Sequence, residues 1–421
     1  MIIYVKGIFF GGIMQKVNGF INKNLNLIIT IFIIIQPILD LVVSLSLNVF
    51  HVGLNLGMIV RMFFLVFMSY VVFFIKGKRK YLLVYFFILL FYSLGYFLSL
   101  DSNYFMSNLH GLLRTFYFPL MLILFLNIKD IKIDNKILVM TMFIYIILIF
   151  IAVVTNTGFN SYDIAKKGSL GWFNSTNEIS GIISILLPIT VAQFMNKKNI
   201  VIKVVLSLIF IFVIGEIGTK TPVLSLLITF LVSFIYFMIR SLKKKNYKIF
   251  AGLLIILTSV TVTSFLVVPK TNFYKNIKIH LDFLEVSNPV FIFSQRITFL
   301  KNTSNRYDKA SLKNKLFGIG YVNKNGKEYK AIEMDYYDVF YNHGILGFIV
   351  YFSVYIYSLY LVFKNLVKKI DFKQLMEYLS LILVLILSLH SGHIITTPAV
   401  CIYVVIILKK LINNKANFMN E

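Results

Sequence analysis

Charge, cysteine and nucleotide-binding motifs are all scarce in this chain. Charged residues make up 14% of its 421 residues, whereas an ordinary soluble domain has roughly 25%. A soluble globular enzyme is therefore excluded, and the single cysteine, Cys401, excludes a disulfide scaffold. The sequence contains no P-loop, no Gly-x-Ser-x-Gly and no His-Glu-x-x-His. A nucleotide-dependent enzyme of the usual soluble kind is not indicated, and we expect Cys401 to be a small core residue.

Apolar sequence is abundant instead. Apolar residues make up 58% of the chain and aromatic residues 16%, and the mean hydropathy is +0.83. A helix that spans a membrane needs about 20 mostly apolar residues. Twelve runs approach this length, at about 25–47, 53–75, 81–99, 112–127, 137–155, 177–195, 203–218, 222–239, 249–268, 338–362, 375–393 and 397–411. They predict an all-α polytopic membrane protein with about twelve transmembrane helices, in a single membrane domain over residues 1–421.

The basic residues, 42 Lys and Arg against 17 Asp and Glu, are concentrated in alternate loops. With the N-terminus in the cytoplasm, the basic segments on that side are the N-terminal segment, 76–80, 129–136, 197–203, 240–248, 364–373 and the C-terminal tail. The basic residues of the short loops on the opposite side are only Lys166, Lys167 and Lys220. Because short cytoplasmic loops are rich in Lys and Arg, both termini are predicted to be cytoplasmic. The net charge of +25 then reflects topology, and we expect no nucleic-acid partner.

Ionisable residues within or at the ends of the predicted helices all lie in the outer half of the membrane. They are Asp40, Arg61, Arg114, Glu178, Glu216, Lys220, His390 and His393. Because a charge inside a bilayer is costly, each is a candidate for function. The long polar segment 270–335, between the ninth and tenth helices, falls on the same side, since long loops are translocated largely regardless of charge. We therefore place binding or chemistry at the outer face, at the level of this extracytoplasmic loop.

Two pairs among these residues have alternative explanations. Asp40 and Arg61 are equally well explained as a structural ion pair inside the membrane. His390 and His393 lie three residues apart on a predicted helix, but no carboxylate or cysteine at metal-ligand spacing accompanies them. We expect the histidines to contribute to helix packing or to hydrogen-bond a polar substrate group, and we predict no metal site and no cofactor.

Four stretches of the chain, taken in order, resemble the motifs of one family. They are Gly171-Trp172-Phe173-Asn174-Ser175-Thr176-Asn177-Glu178; Gly218-Thr219-Lys220-Thr221; Ser294-Gln295-Arg296 followed by Leu316-Phe317-Gly318-Ile319-Gly320-Tyr321; and Glu333-Met334-Asp335-Tyr336-Tyr337-Asp338 ending in Gly344-Ile345-Leu346-Gly347. Together they resemble the O-antigen ligase / O-antigen polymerase superfamily of bacterial polytopic membrane glycosyltransferases. The resemblance covers most of residues 170–400 and implies a GT-C-like fold.

The resemblance implies a metal-independent, inverting transfer at the outer face of the bacterial cytoplasmic (inner) membrane. An undecaprenyl-diphosphate-linked oligosaccharide would be the donor, a sugar hydroxyl of an acceptor glycan would attack it, and the lipid bilayer would surround both. Arg296 matches the family's arginine at the start of the loop helix, and Lys220 stands where the ligases usually have an arginine. Ligases generally have His-Asn where this chain has Glu333-Met334. The acidic form looks more like the polymerase-type members of Gram-positive bacteria, which favours polymerisation or attachment to a wall glycan.

The residue types also suit this chemistry on physical grounds. A departing diphosphate gathers negative charge, which preorganised cations stabilise most where water is excluded. The candidate cations, in falling order, are Arg296, Lys220, Arg114 and Arg61. A carboxylate can take or orient the proton of the acceptor hydroxyl. The candidate carboxylates are Glu333 and Asp335, with Asp338 behind them. The alternatives are a solvated loop cation for Arg296 and helix capping for the acidic residues, because helix starts favour acidic side chains.

Two other functions stay open at this point. A transporter or flippase of lipid-linked glycan would suit twelve helices, but it should line a cavity with charges through the whole membrane depth and usually shows internal halves. A non-catalytic assembly factor would tolerate substitution of Arg296 or Glu333. Since the charges are confined to the outer half, the sequence favours the enzyme.

Overall fold

The computed structural model describes most of the chain, with gaps at several loops. The described residues are 2–52, 56–129, 131–162, 167–195, 200–248, 296–322, 326–366 and 370–417, together with 251, 252, 270 and 274. The predicted ninth helix, 249–268, lies outside the described residues except at 251 and 252, as does most of 270–295.

Apart from one short hairpin, the regular structure of the described residues is helical. The α-helices are α1 (Ile2–Asn48), α2 (Leu56–Tyr70), α3 (Arg79–Ser99), α4 (Phe105–Asn127), α5 (Asn135–Val154), α6 (Thr176–Met195), α7 (Ile200–Ile217), α8 (Lys220–Lys243), α9 (Arg296–Asp308), α10 (Leu312–Phe317), α11 (Asp335–Lys364), α12 (Phe372–His390) and α13 (Pro398–Asn417). A π-helix, Val71–Lys76, continues α2, and a 3₁₀ turn, Ser102–Tyr104, precedes α4. The hairpin pairs β1 (Asn160–Tyr162) antiparallel with β2 (Lys167–Ser169), with Asn160 opposite Ser169.

The described helices confirm the prediction of an all-α polytopic membrane protein. Nine helical segments within the described residues are long and apolar enough to cross a membrane: Met14–Asn48, Leu56–Lys76, Arg79–Ser99, Ser102–Asn127, Asn135–Val154, Thr176–Met195, Lys220–Lys243, Asp335–Lys364 and Phe372–His390. The predicted seventh and twelfth spans are helical as well, as α7 and α13. α4 begins seven residues earlier than predicted, because its first turns are polar and carry little hydropathy signal.

The centre of the bundle is formed by α13 and α6. α13 is apolar on every side and buried from Ala399 to Leu408, with the expected core residue Cys401 fully covered, as is typical of an interior helix. It packs against α4, α6, α11 and α12. In contrast, α2 and α3 expose large side chains such as Phe63 and Phe91. These exposed apolar faces fit contact with lipid, which leaves the polar residues to the interior and the helix ends.

A break in α11 is hydrogen-bonded to the turn that follows α10. Gly344 has φ 67° and ψ −174°, so the helix is interrupted there. The carbonyl oxygens of Tyr341 and Asn342, just before the break, accept hydrogen bonds from the backbone N–H groups of Ile319 (3.1 Å) and Gly320 (3.2 Å). The carbonyls that helix interruption would leave unsatisfied therefore bind the turn that follows α10.

Two aromatic rings from the same turn pack directly against glycines of α3 and α4. A Cβ added to Gly95 of α3 would lie 2.0 Å from the ring of Phe317, and one added to Gly111 of α4 would lie 2.3 Å from the ring of Tyr321. Glycine lets the rings approach the helix backbone this closely. The chain from Phe317 to Tyr321 is consequently held against α3 and α4.

We expect Gly344→Ala to destabilise the protein. A Cβ at this position would lie 2.5 Å from the amide nitrogen of Gly318, and this backbone conformation, nearly exclusive to glycine, costs other residues about 1–3 kcal/mol. The midpoint of thermal unfolding, measured on detergent-purified protein, should fall clearly. Gly215→Ala in α7 is the matched control, because a Cβ there meets no described atom within 4 Å. Equal midpoints for the two variants would contradict the role of the break.

Candidate functional site

Glu333 lies where three segments of the chain meet, at the end of the bundle where α6 and α11 begin. Its Oε2 accepts hydrogen bonds from Nη2 of Arg296 on α9 (3.2 Å) and from Nδ2 of Asn177 on α6 (3.2 Å). Its Oε1 lies 3.3 Å from Nζ of Lys330. Nε of Arg296 is buried and has no hydrogen-bond partner among the described residues. The structure thus joins the two leading candidates from the sequence, Arg296 and Glu333, in one ion pair.

The turn that carries Glu333 is held in a strained conformation. Glu333 has φ 63°, a left-handed value that costs a residue other than glycine about 1–3 kcal/mol. Asp338 supports the turn, since its Oδ1 accepts from the N–H of Ile332 (2.9 Å) and its Oδ2 from the N–H of Met334 (3.1 Å). Gly392 packs against the backbone of Glu333, where an added Cβ would lie 2.4 Å from the carbonyl oxygen. Asp338 therefore positions Glu333.

Asp335 is fully buried and saturated with donors. Its carboxylate accepts hydrogen bonds from the backbone N–H groups of His393 (2.6 Å), Ile394 (2.9 Å) and Ile395 (2.9 Å) and from the hydroxyl of Thr396 (2.6 Å). These four donors come from the connection between α12 and α13. The arrangement favours a structural role for Asp335 over the catalytic role that its spacing suggested.

The charges around Glu333 set its protonation state. Burial raises the pKa of its carboxyl, but the nearby positive charge, above all that of Arg296, outweighs this effect, so the pKa lies below its ordinary value. Burial, together with the repulsion from Arg114, lowers the pKa of His393 to about 4, with Glu333 opposing the shift. At neutral pH the site therefore contains an ionised Glu333 beside a neutral His393.

A first cavity, of about 170 Å³, opens beside this cluster between α4, α9, α11 and residues 328–332. We call it the cationic cavity, because Arg114, Arg306 and Lys330 line it together with His110 and His393. The two carboxylates in its lining are exposed or occupied: Glu328 is exposed and Asp338 accepts backbone N–H groups.

Arg306 stands out within the cationic cavity. Its guanidinium lies 3.5 Å above the ring of Tyr329 and donates from Nη2 to Thr303 (2.9 Å). Its Nη1 is buried and makes no hydrogen bond to any described residue. Sequence reasoning missed Arg306, because it is one cation among many in a lysine-rich loop and only folding distinguishes it.

A second cavity, of about 310 Å³, lies deeper, among α1, α2, α4, α6 and the start of α13. We call it the membrane cavity; Asp40, Arg61 and Glu178 line it, and it shares His110 and Arg114 with the cationic cavity. Arg61 forms an ion pair with Asp40 and donates from Nε to Gln36 (2.9 Å). The sequence offered a structural ion pair and a functional site as alternatives; the ion pair is present and lines a cavity, and a functional role stays a prediction.

The remaining predicted residues, Lys220, Glu216, His390 and His393, lie near the ends of helices or in the connection between α12 and α13. Lys220, at the start of α8, is within electrostatic range of Arg296. Glu216 is half-buried near the end of α7. The prediction that His390 and His393 share a helix is wrong, because α12 ends at an exposed His390 and His393 has φ 60° in the following connection.

Five of the predicted site residues line neither cavity. Neither cavity counts Arg296, Glu333, Lys220, Glu216 or His390 among its described lining residues.

Within the described residues, no three His, Cys, Asp or Glu side chains are grouped so as to hold a metal ion. The absence of a metal requirement stays a prediction.

A buried histidine that the sequence did not single out connects the loop to the helices. His343 is fully buried, and its two ring nitrogens hydrogen-bond to the hydroxyls of Tyr92 (3.0 Å) and Tyr321 (2.8 Å). The Tyr321 hydroxyl also hydrogen-bonds to Thr115 (2.7 Å). This chain of hydrogen bonds fixes one wall of the cationic cavity, because Tyr321 and Thr115 both line it.

Comparison with known proteins agrees with this architecture. The chain belongs to the family described as O-antigen ligase like membrane protein, which matches residues 22–290 and 285–417. The match includes the residues around Glu333 and both cavities. No curated protein matches the chain.

We expect Asp338→Asn to loosen the turn that carries Glu333. An amide can accept only one of the two backbone N–H groups, and it places its own NH₂ against the other. An unsatisfied buried group costs about 1–3 kcal/mol, so backbone amide exchange in residues 331–334 should accelerate about tenfold in deuterium-exchange mass spectrometry. Asp308→Asn, which alters an exposed carboxylate at the end of α9, should leave this exchange unchanged. Unchanged exchange in Asp338→Asn would refute the positioning role.

Proposed function

We propose that this family member is a membrane glycosyltransferase that moves a glycan from a lipid diphosphate to a sugar hydroxyl at the outer face of the membrane. One observation carries the proposal: an ionised carboxylate, Glu333, lies among cations beside two cavities that share Arg114. We assign the donor as an undecaprenyl-diphosphate-linked oligosaccharide, the membrane as the bacterial cytoplasmic membrane, and both termini to the cytoplasm.

The cations would stabilise the leaving group. In an inverting transfer, the acceptor oxygen bonds to the anomeric carbon from one side while the bond to the diphosphate oxygen breaks on the other. The electron pair of that bond leaves with the diphosphate, whose growing charge is stabilised by fixed cations. Arg296 and Arg306 each have a buried N–H without a partner among the described residues, and a guanidinium suits bidentate contact with phosphate oxygens. Lys330, Lys220 and Arg114 would add charge.

Glu333 would take the proton of the acceptor hydroxyl as the new bond forms. Its pKa lies below the ordinary value, so it is ionised at neutral pH, and its carboxylate is only partly covered. Binding of a diphosphate to Arg296 and Lys330 would draw both cations toward the phosphates and free Glu333 for the acceptor. We leave Asp335 out of the catalytic groups because four donors occupy it, and Arg61 out of the diphosphate site because Asp40 neutralises its charge.

The acidic residue at Glu333 favours a polymerase over a ligase. A transporter of lipid-linked glycans is the alternative, and it would need a polar path through the membrane. The two cavities described here instead gather toward one end of the helices, at residues such as Asp40, Arg114 and Lys330. This arrangement supports chemistry at one face.

In cells that lack this gene, we expect surface and lipid-linked glycans to collapse to single repeat units on a size ladder. The wild-type gene should restore the full ladder, and Arg296→Ala should fail to restore it. Lys301→Ala, which removes an exposed cation from the same helix, should complement fully. Full-length glycan stranded on lipid would instead identify a ligase. An unchanged ladder would contradict the enzyme and favour the transporter or a non-catalytic assembly factor.

We expect transfer by the purified protein to depend on Glu333 and on pH. Glu333→Gln should lose about 10²-fold or more of the rate, the usual range for a lost general base. Because only the ionised carboxylate is active, the rate should fall as the pH drops through the pKa of Glu333, which in the wild type lies below 4.5. Arg296→Gln removes the partner that lowers this pKa most, so its acid limb should lie at higher pH. Coinciding acid limbs would contradict the assignment.

A further inference from the structure

The membrane cavity differs from the cationic cavity in its charge balance. Its lining contains two carboxylates, Asp40 and Glu178, and two guanidinium groups, Arg61 and Arg114. Arg61 is already paired with Asp40. Counted by residue type, acidic and basic groups are equal in number here, so this cavity is less suited to a phosphate than the cationic cavity, and it offers both donors and acceptors to a polar, uncharged molecule.

Two polar side chains of this cavity, Asp40 and Arg61, are held in place before any ligand binds. Oδ1 of Asp40 is fixed by Arg61, and its Oδ2 accepts a hydrogen bond from the hydroxyl of Tyr145 (2.6 Å). Arg61 is fixed in turn by Gln36. Since ordering side chains on binding costs affinity, a preorganised set of acceptors and donors suits recognition of sugar hydroxyls.

The size of the cavity and its neighbours fit a sugar as well. Its volume of about 310 Å³ is at the lower end of the range of roughly 300–1,000 Å³ for small-molecule sites. An exposed amide, Asn174, and a hydroxyl, Ser175, add further hydrogen-bonding groups, and the buried ring of Phe173 forms an apolar part of the wall.

We propose that the membrane cavity binds an uncharged sugar unit of a glycan substrate. The inference rests on the proposed function and adds a substrate class to one of its two cavities. Asn177, which contacts Glu333, directly precedes Glu178 of the cavity lining. A sugar in the cavity would therefore lie at the end of α6 where Asn177 holds Glu333, with Arg114 in the wall shared with the cationic cavity. The sugar comes either from the acceptor or from the first residue of the donor.

Steady-state kinetics of the purified protein test the proposal and distinguish the two sources. The substrates are lipid-linked donor and lipid-free acceptor glycan prepared from the producing cells. Asn174→Ala and Glu178→Gln should raise the KM of one substrate about tenfold, the usual effect of losing a hydrogen bond to a charged or polar partner, with kcat nearly unchanged. A higher acceptor KM identifies the acceptor as the source, and a higher donor KM identifies the donor.

Two comparison variants make the test specific. Arg306→Gln, in the cationic cavity, should raise the donor KM and leave the acceptor KM unchanged, and Asp308→Asn should change neither. If Asn174→Ala and Glu178→Gln leave both KM values within twofold of wild type, the proposal is wrong. Failure of the proposed function would look different, because the wild type itself would then transfer nothing.

Direct binding separates the site from the reaction. Trp172 is the only tryptophan of the chain and lies two residues before Asn174, so its fluorescence reports on this cavity. Titration with glycan released by mild acid should change the fluorescence, with the dissociation constant raised about tenfold in Glu178→Gln. Inorganic pyrophosphate should not displace the glycan. Displacement by pyrophosphate, or equal affinity in Glu178→Gln, would overturn an uncharged sugar as the occupant.

Discussion

One buried carboxylate organises the end of this protein at which α11 begins and α12 ends. Asp335 begins α11 and binds four donors from the connection that leads into the central helix α13. A buried charge is tolerated only where its hydrogen bonds are complete, so this contact fixes the two segments relative to one another. Glu333 lies two residues before Asp335, and His393 is one of its donors. The geometry of the candidate site therefore depends on a residue that does no chemistry in our account.

The fold places unequal charge in two adjoining spaces. The cationic cavity has Arg306 and Lys330 on its loop side, whereas the membrane cavity balances Arg61 and Arg114 with Asp40 and Glu178. A transfer between two substrates needs two sites that meet at one point, and Arg114 lies on the wall that they share. Fixed charges in a site closed from water act more strongly than in solvent. The arrangement suits a reaction in which one substrate carries a diphosphate and the other carries hydroxyls.

The sequence predicted the helices, because they follow from the cost of placing polar groups in lipid. The prediction that the ionisable residues of the helices are confined to one half of the membrane is wrong, because Glu377 near the start of α12 and Lys410 in the later part of α13 form an ion pair (3.6 Å) away from the connection that binds Asp335. The sequence also singled out Arg296 and Glu333, each for a separate role, but it did not predict that they form an ion pair with one another. It could not predict the burial of Asp335, because an acidic residue at a helix start looks the same whether it caps the helix or binds another segment. It missed Arg306, whose guanidinium stacks on the ring of Tyr329, and His343, which hydrogen-bonds to Tyr92 and Tyr321. Each of these partners is more than twenty residues away in the sequence, so only folding brings them together.

The central claim is that the groups around Glu333 bind the diphosphate end of a lipid-linked glycan at the outer face. The most direct measurement is an experimental structure in lipid nanodiscs with a non-transferable phosphonate analogue of the donor. Our account predicts the phosphonate groups within hydrogen-bonding distance of Arg296 and Lys330, with the anomeric carbon beside Glu333. A diphosphate analogue bound at the opposite end of the helices, or a glycan threaded between them, would contradict it and indicate a transporter.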